Sequence, residues 1–191
     1  MKNISLTIAE TLWNQGIIQK EDVDTCRYGV EIFISSALEI VSILIIAIFA
    51  KNFLESFLFF LMFTPLRVFA GGYHANTKVK CYFVSLGVYG IFGLIIKMLP
   101  QKIYWLINFT SAVFSMIIVL IFSPIIHKNK SVCKIERENY RKISIVISSI
   151  ETAVILLLTV EHPSSKYILS MSLGMCAVAF TMIAEMFKAK R

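Results

Sequence analysis

The segment IYWLINFTSAVFSMIIVLIFSPII, residues 103–126, contains no charged side chain. Because a helix needs about 20 apolar residues to cross the hydrocarbon core of a bilayer, this segment is long enough to span a membrane. Hydrophobic residues make up 57% of the 191-residue chain, and its mean hydropathy is +0.75. That composition excludes an ordinary soluble domain and indicates an integral membrane protein.

Five other apolar segments have a similar character. They are residues 30–50, 53–70, 82–99, 143–160 and 167–187. Backbone amides in hydrocarbon must be hydrogen-bonded within the segment, and the sequence lacks the short alternating strands of a barrel. We therefore predict an all-α integral membrane protein, with a bundle of about six transmembrane helices over residues 30–187 in a single domain of residues 1–191. The second and third segments are short, so four or five full crossings are the alternative.

Residues 1–28 precede the first apolar segment and follow a different pattern. Ile4, Ile8, Leu12 and Trp13 recur at helical spacing, which predicts an amphipathic helix along the membrane surface. No apolar core with a small-residue cleavage site is present, so a secretory signal peptide is not predicted. The segment is expected to anchor the chain or, alternatively, to receive a substrate helix lying in the same plane.

The positions of the 19 lysines and arginines predict the orientation. With a cytoplasmic N-terminus, all but four of them fall in cytoplasmic segments, as the positive-inside rule requires. The four on the outer side are Lys51, Lys97, Lys102 and Lys166. We therefore expect a multi-pass protein of the cell membrane with both termini cytoplasmic.

The net charge of +7 is then mainly a topology signal, and attraction to anionic membrane lipid is its second use. Nucleic acid is not an expected partner, because the basic residues are spread over several loops. No aromatic-interleaved patch or binding motif accompanies them.

The run RVFAGGYHANTKVKC, residues 67–81, concentrates reactive side chains between two apolar segments on the predicted cytoplasmic side. A thiol attacks as the thiolate, and its ordinary pKa of about 8.5 falls when a histidine or cationic groups lie close. On a straight helix His74 and Cys81 would share a face but lie roughly 10 Å apart along the axis. Proton transfer needs about 3 Å, so the helix is predicted to bend or break near Asn76 and Thr77.

Two glycines, Gly71 and Gly72, precede His74 in this run. They would let the backbone come close to a bound peptide and offer amide donors to an oxyanion. Packing alternatives stay open at this point. The histidine can be an interfacial hydrogen-bonding group, the glycines a simple turn, and Cys81 a small packing residue.

Zinc is a rival explanation for the same residues. His127 and Cys133, on the next cytoplasmic segment, would join His74 and Cys81 as four ligands, although neither pair has a usual zinc spacing. We therefore expect no metal and no other cofactor. Because Cys26, Cys81 and Cys133 fall on the reducing cytoplasmic side, a disulfide framework is not predicted either.

Seven residues after an apolar segment form the pattern R-x-x-x-G-G-Y-H-A-x-x-x-x-x-C. They are Arg67, Gly71, Gly72, Tyr73, His74, Ala75 and Cys81. This run resembles the signature of the AgrB (accessory gene regulator protein B) family. The resemblance extends over essentially the full chain. It includes the length, several spans after a basic N-terminal segment, and Ser123-Pro124 followed by His127 and a Lys/Arg-rich loop.

The resemblance implies a membrane cysteine endopeptidase of Gram-positive quorum sensing. Such proteins cleave the C-terminal part from a small precursor peptide of the AgrD type and release a cyclic thiolactone or lactone autoinducing peptide. By this similarity His74 and Cys81 are the catalytic pair, and Arg67, Gly71 and Gly72 match supporting or substrate-binding positions. The implied partners are an AgrD-type precursor and membrane lipid, and a homodimer is compatible with the resemblance.

Two charged features have both a structural and a functional interpretation. Arg67 would either pair with Glu31 or Glu39 or bind the acidic tail of the precursor. The basic loop of residues 128–142 is either a topology determinant or a receptor for that tail. Glu151 is a mid-span acid without an assigned purpose.

A function of another class competes with the peptidase. A non-catalytic membrane peptide exporter or assembly partner would use His74 and Cys81 only for packing. Such a protein should tolerate Cys81→Ser and His74→Ala, whereas a peptidase should lose cleavage in both variants.

Overall fold

The structure, a computed structural model, describes residues 2–73, 78–125 and 134–189. Within these ranges the chain forms seven α-helices. They are α1 (Lys2–Asn14), α2 (Val23–Phe49), α3 (Phe53–Ala70), α4 (Lys78–Met98), α5 (Tyr104–Phe122), α6 (Lys134–Glu161) and α7 (Lys166–Ala189). The predicted all-α class is confirmed, since the described part of the chain contains no strand beyond an isolated bridge between Gly71 and Ile125.

The chain divides into two compact units, residues 1–46 and 47–191. In the first unit, the Ser5 hydroxyl of α1 donates to Glu31 Oε1 of α2 at 3.1 Å, and both side chains are buried. Trp13 of the same helix stays exposed. The predicted N-terminal helix is therefore confirmed, and its position on the membrane surface stays a prediction.

Five helical segments are long and apolar enough to cross a membrane. They are Lys20–Phe49, Phe53–Ala70, Gln101–Phe122, Ile135–Glu161 and Lys166–Lys188. A sixth apolar helix, Tyr82–Met98, is shorter and corresponds to the third predicted span. The prediction of about six helices is confirmed, and the chain is a multi-pass membrane protein in which α4 has the shortest apolar part.

The outer faces of α5 and α6 carry large apolar side chains. Ile121 is 61% exposed, Leu157 is 69% exposed and Val160 is 83% exposed. Such side chains are costly in contact with water, but lipid tails are equally apolar and accommodate them. These faces therefore suit direct contact with lipid.

Helix α7 is more buried than the other candidate spans, with 72% of its apolar segment inside the protein. It packs against α3, α5 and α6. The large, fully buried side chains of this core are Leu66, Val119, Ile155, Met175, Val178 and Met182. Gly174 lets α7 approach α3 closely, because a Cβ at this position would overlap the carbonyl oxygen of Phe59.

Helix α4 is joined to α3 through aromatic side chains. The ring centroids of Phe59 and Phe92 lie 5.8 Å apart, and Phe60 stacks on Tyr89 at 5.9 Å. The Tyr89 hydroxyl also lies 2.6 Å from the Ser56 hydroxyl. These contacts hold α4 beside α3.

The helices of the second unit run alternately up and down. The last turns of α3, α5 and α7 therefore lie together with the first turns of α4 and α6. Gly71 pairs with Ile125 here, and the rings of Phe69 and Tyr140 lie 6.0 Å apart. We call this the motif end, and the opposite end, where α3 and α7 begin and α4 ends, the far end.

Helix α6 begins earlier than the sequence indicates. The prediction of a basic loop over residues 128–142 is wrong for its second half, because the helix starts at Lys134. Glutamate, arginine and lysine dominate that half, and Glu138 precedes Lys142 by one helical turn, a spacing that stabilises helices. The first half of the predicted loop lies outside the described residues.

Candidate active site

The first half of the sequence motif forms the end of α3 and the turn after it. The helix ends at Ala70, and the Gly71 N–H donates to the Arg67 carbonyl oxygen at 3.2 Å. Gly71 has φ of 81° and Gly72 has φ of 136°. Side-chain-bearing residues rarely adopt these values, so the chain needs glycine at both positions to leave the helix in this direction.

Gly71 also allows the turn to contact the segment after α5. The Ile125 N–H donates to the Ala70 carbonyl oxygen at 2.9 Å. A Cβ on Gly71 would overlap the carbonyl oxygen of Ile125. Residues 123–125 are thereby fixed beside the end of α3, although the two stretches are far apart in the sequence.

Arg67 lies one turn before the end of α3, as predicted, and its side chain contacts the glycine turn. Its Nη2 atom donates to the carbonyl oxygen of Tyr73. A Cβ on Gly72 would overlap Arg67 Nη1 and lie 2.7 Å from Thr181 Oγ1. The guanidinium therefore supports the backbone of Gly72 and Tyr73, while its pairing with Glu31 or Glu39 stays a prediction.

Helix α7 holds the same turn from the other side. The Tyr73 N–H donates to the Thr181 carbonyl oxygen at 2.8 Å. The Lys188 ammonium lies over the Tyr73 ring, 4.9 Å from its centroid. Tyr73 is therefore bound through its N–H, its carbonyl and its ring.

The predicted catalytic residues follow this fixed turn. His74 falls on residues 74–77, outside the described part of the chain, as does the predicted bend near Asn76 and Thr77. Helix α4 begins at Lys78, so position 81 belongs to its first turn. The catalytic pairing of His74 with Cys81 therefore stays a prediction, but Tyr73 and Lys78, the nearest described residues before and after it, lie at the motif end.

A small cavity of about 30 Å³ lies between α3, α4 and α7 beside the turn. Arg67, Tyr73, Ser85 and Thr181 contribute polar groups to its wall, and phenylalanines of α3 close it on the membrane side. Ser85 is one turn beyond position 81 on α4. The space is large enough for one water molecule or a small chemical group.

Comparison with protein families decides the membership of the chain. The model of a family described as Accessory gene regulator B matches residues 5–182. The chain belongs to the AgrB family. This membership confirms the resemblance seen in the sequence and assigns the protein a role in the accessory gene regulator system.

Two AgrB-like proteins from Clostridium perfringens are similar to this chain. AgrB-like protein 2 of strain 13 / Type A is 26% identical over 149 residues, which cover 74% of this chain and 68% of the relative. An AgrB-like protein of strain SM101 / Type A is 26% identical over 146 residues, with the same coverage of both chains. No solved structure matches the chain.

Of the positions that resemble the AgrB signature, the structure brings Arg67, Gly71, Gly72 and Tyr73 into one connected group. Sequence reasoning missed Thr181 as the contact from α7. No local pattern marks this residue, because it lies on a helix far along the chain and acts through its backbone oxygen.

The rival zinc site cannot form from the described residues alone. His74, His127 and Cys133 lie outside the described ranges, and the side chain of Cys81 is not described. Among the histidine, cysteine and acidic residues that are described, no group of three or more is arranged to hold a metal. Cys176 is buried in α7 as a free thiol, as expected for a packing residue.

Glu151 of this AgrB-family protein is placed in the interior of the second unit. It is 6% exposed, and its Oε2 atom has no hydrogen-bond partner among the described residues. The neighbouring buried face of α6 also carries Ser144, Ser148 and Thr152. The prediction of an intramembrane acid is therefore confirmed, but nothing in its surroundings connects it to the glycine turn.

Proposed function

We propose that this chain is a membrane cysteine endopeptidase that cleaves an AgrD-type precursor peptide and releases a cyclic thiolactone or lactone. The observation that carries the proposal is the fixed Gly72–Tyr73 backbone immediately before His74, with position 81 in the first turn of the next helix. This arrangement supports a histidine and a cysteine meeting at one end of the bundle.

The first step is attack by Cys81. His74 takes the proton from its thiol, and the thiolate adds to the scissile carbonyl of the precursor. Collapse of the tetrahedral intermediate breaks the C–N bond and forms a thioester between Cys81 and the N-terminal part of the peptide. The proton held by His74 goes to the departing amine, which leaves with the C-terminal tail.

The start of α4 favours this step. The N–H groups in the first turn of a helix have no carbonyl partner within the helix and carry partial positive charge. A thiolate in that turn is more stable than one in the middle of a helix. Lys78 and Lys80 add positive charge to the first turn of this helix.

The glycine turn can supply the oxyanion donor. The N–H groups of Gly71 and Tyr73 already donate to Arg67 and Thr181, respectively. For the oxyanion function expected of the glycine pair, we therefore propose the N–H of Gly72 as the donor. Removing one such donor from an enzyme typically lowers kcat by about 100- to 1,000-fold.

The second step closes the ring. A cysteine within the bound peptide attacks the thioester carbonyl, forms the thiolactone and returns Cys81 as the thiol. A serine in that place would give a lactone. No external energy source is needed, because one activated acyl bond is exchanged for another. A nucleophile held beside the thioester reacts at an effective concentration that water does not reach.

The proposal is tested by mass spectrometry of cells that express the chain together with its small precursor peptide. Wild type should release the cleaved tail, and Cys81→Ala and His74→Ala should not, at equal membrane levels. Cys26→Ala is the matched control, because Cys26 is a free thiol in the first unit. Cleavage that persists in Cys81→Ala would overturn the peptidase and favour the exporter or assembly partner.

A precursor whose ring-forming residue is replaced by alanine tests the covalent intermediate. This peptide can acylate Cys81 but cannot close a ring, so the acyl-enzyme should accumulate. The expected signal is a mass increase on the protein fragment that contains Cys81. A tail released without any such adduct in rapidly quenched samples would contradict the acyl-enzyme route.

A further inference from the structure

The far end of the second unit contains a cavity of about 270 Å³. Its walls come from the start of α3, the end of α4, the turn before α5 and the start of α7. The polar lining includes Lys51, Asn52, Glu55, Ser56, Lys97 and Lys166. The cavity lies at the opposite end from the glycine turn, and the proposed peptidase mechanism does not use it.

Lysines gather around this cavity although the chain has few of them at this end. Of the four lysines assigned to the outer side from the sequence, Lys51, Lys97 and Lys166 line the cavity. Outer segments of membrane proteins usually avoid lysine and arginine. The convergence of these three residues on one space therefore has a cause other than topology.

The charges in the cavity do not cancel. Glu55 is 8% exposed, and it forms an ion pair with the Lys166 ammonium. Among the described residues, no carboxylate is ion-paired with Lys51 or Lys97. Two lysines thus remain beside a neutralised pair, and the cavity attracts an anion.

The interior also presents a hydrogen-bond acceptor. Asn52 Oδ1 is buried and has no hydrogen-bond partner in the described part of the chain. The nearby Ser56 hydroxyl is engaged with the Asn52 carbonyl oxygen at 2.8 Å and with the Tyr89 hydroxyl at 2.6 Å. A buried acceptor without a donor is unfavourable, so the site favours a ligand that carries a hydroxyl or N–H beside its anionic group.

Large apolar residues are sequence neighbours of the residues that line the cavity. Phe53 and Leu54 follow Asn52 directly, and Trp105 follows Tyr104 of the lining. All three are about half exposed. Tryptophan at a helix end is typical of the membrane interface. A ligand with its charged group in the cavity and hydrocarbon on this surface matches both parts.

We propose that the far cavity binds the glycerophosphate headgroup of an anionic phospholipid. The phosphate lies between Lys51 and Lys97, and a glycerol hydroxyl donates to Asn52 Oδ1. Sites for drug-sized ligands usually measure about 300–1,000 Å³. A cavity of about 270 Å³ therefore suits a headgroup better than a whole cyclic peptide.

The test is native mass spectrometry of the full-length protein in detergent with phosphatidylglycerol or phosphatidylcholine of identical acyl chains. Wild type should prefer phosphatidylglycerol by at least about fivefold. Lys51→Gln and Lys97→Gln should each weaken its binding about fivefold, the factor that one basic residue contributes near anionic lipid. Wild type should also bind phosphatidylglycerol more tightly than phosphatidic acid, which lacks the glycerol hydroxyls. Asn52→Ala should remove that preference.

Lys102→Gln is the matched control, because Lys102 lies at the same end but does not line the cavity. The Lys102→Gln variant should bind phosphatidylglycerol as tightly as wild type does. A loss as large as in Lys51→Gln would mean non-specific surface attraction and overturn the proposal. Equal binding of phosphatidylglycerol and phosphatidylcholine by wild type would also overturn the proposal. Excess glycerol 3-phosphate should displace phosphatidylglycerol, and failure to do so would assign the binding to the acyl chains instead.

Discussion

The N–H of Tyr73 donates to the carbonyl oxygen of Thr181 across 2.8 Å, while Arg67 donates to the carbonyl oxygen of Tyr73. The residue before His74 is therefore held by α7 on one side and by α3 on the other. These bonds set the direction in which the chain leaves toward His74. A catalytic histidine benefits from such support, because small errors in its position lower the rate strongly.

Gly72→Ala should strongly lower peptide processing. The new Cβ would overlap the Arg67 guanidinium, and φ of 136° is unfavourable for alanine. Backbone strain of this kind costs about 1–3 kcal/mol, and relief would move the turn that precedes His74. We expect cleavage of the co-expressed precursor to fall at least about tenfold, measured by quantitative mass spectrometry at equal membrane levels.

Gly87→Ala is the matched control for that variant. Gly87 lies within α4, and a Cβ there meets no atom within 4 Å. Alanine is the better helix former, by roughly 1 kcal/mol or less. Processing should therefore be unchanged. Equal loss in both variants would show that the activity responds to any change of glycine and not to the turn.

Arg67→Lys should lower processing although it keeps the positive charge. The planar guanidinium presents two nitrogens, one donating to Tyr73 and the other packed against Gly72, and a lysine ammonium cannot reproduce both contacts. A hydrogen bond from a charged donor is worth about 1.5–3 kcal/mol. We expect cleavage to fall roughly tenfold or more, measured as initial rate in membranes.

Arg27→Lys serves as the control for Arg67. The Arg27 guanidinium is exposed and pairs with Asp24 at 3.1 Å, so lysine can replace it at little cost. Wild-type processing by Arg67→Lys would mean that the support of Tyr73 is not needed. The role of Arg67 would then be limited to its charge.

The sequence predicts the spanning segments well because membrane crossing depends on local length and hydropathy. Residues 53–70 coincide with α3, and the amphipathic pattern around Ile4 and Ile8 falls on α1. Charged residues blur such boundaries. The start of α6 at Lys134 escaped prediction because its first turns are polar and carry helix-forming residues instead of an apolar stripe.

The local half of the site is likewise visible in the sequence. Six consecutive positions contain Arg67, Gly71 and Gly72, so the last helical turn and the residues directly after it bring them together. The contacts from Ile125 and Thr181 are not visible, because they depend on which helices pack side by side. That choice is made by shape, as at Gly174, where the absence of a side chain lets α7 reach α3.

Gly174→Ala should destabilise the fold without touching the motif. Its Cβ would overlap the carbonyl oxygen of Phe59, and backbone at this depth cannot move as a flexible side chain would. Overpacking a well-packed core costs about 1–3 kcal/mol. We expect a lower Tm in detergent by several degrees. Gly90→Ala, which adds a methyl group to open space on α4, should leave Tm nearly unchanged.

The orientation predicts which positions a membrane-impermeant thiol reagent reaches in intact cells. In a background without the four natural cysteines, Lys102→Cys should react, because Lys102 lies at the far end on the predicted outer side. Arg191→Cys should react only after the cells are opened, since the C-terminus is predicted to be cytoplasmic. The opposite labelling pattern would invert the topology. It would place the Gly71–Gly72 turn outside and the far cavity inside, where anionic inner-leaflet lipid would be its source of headgroups.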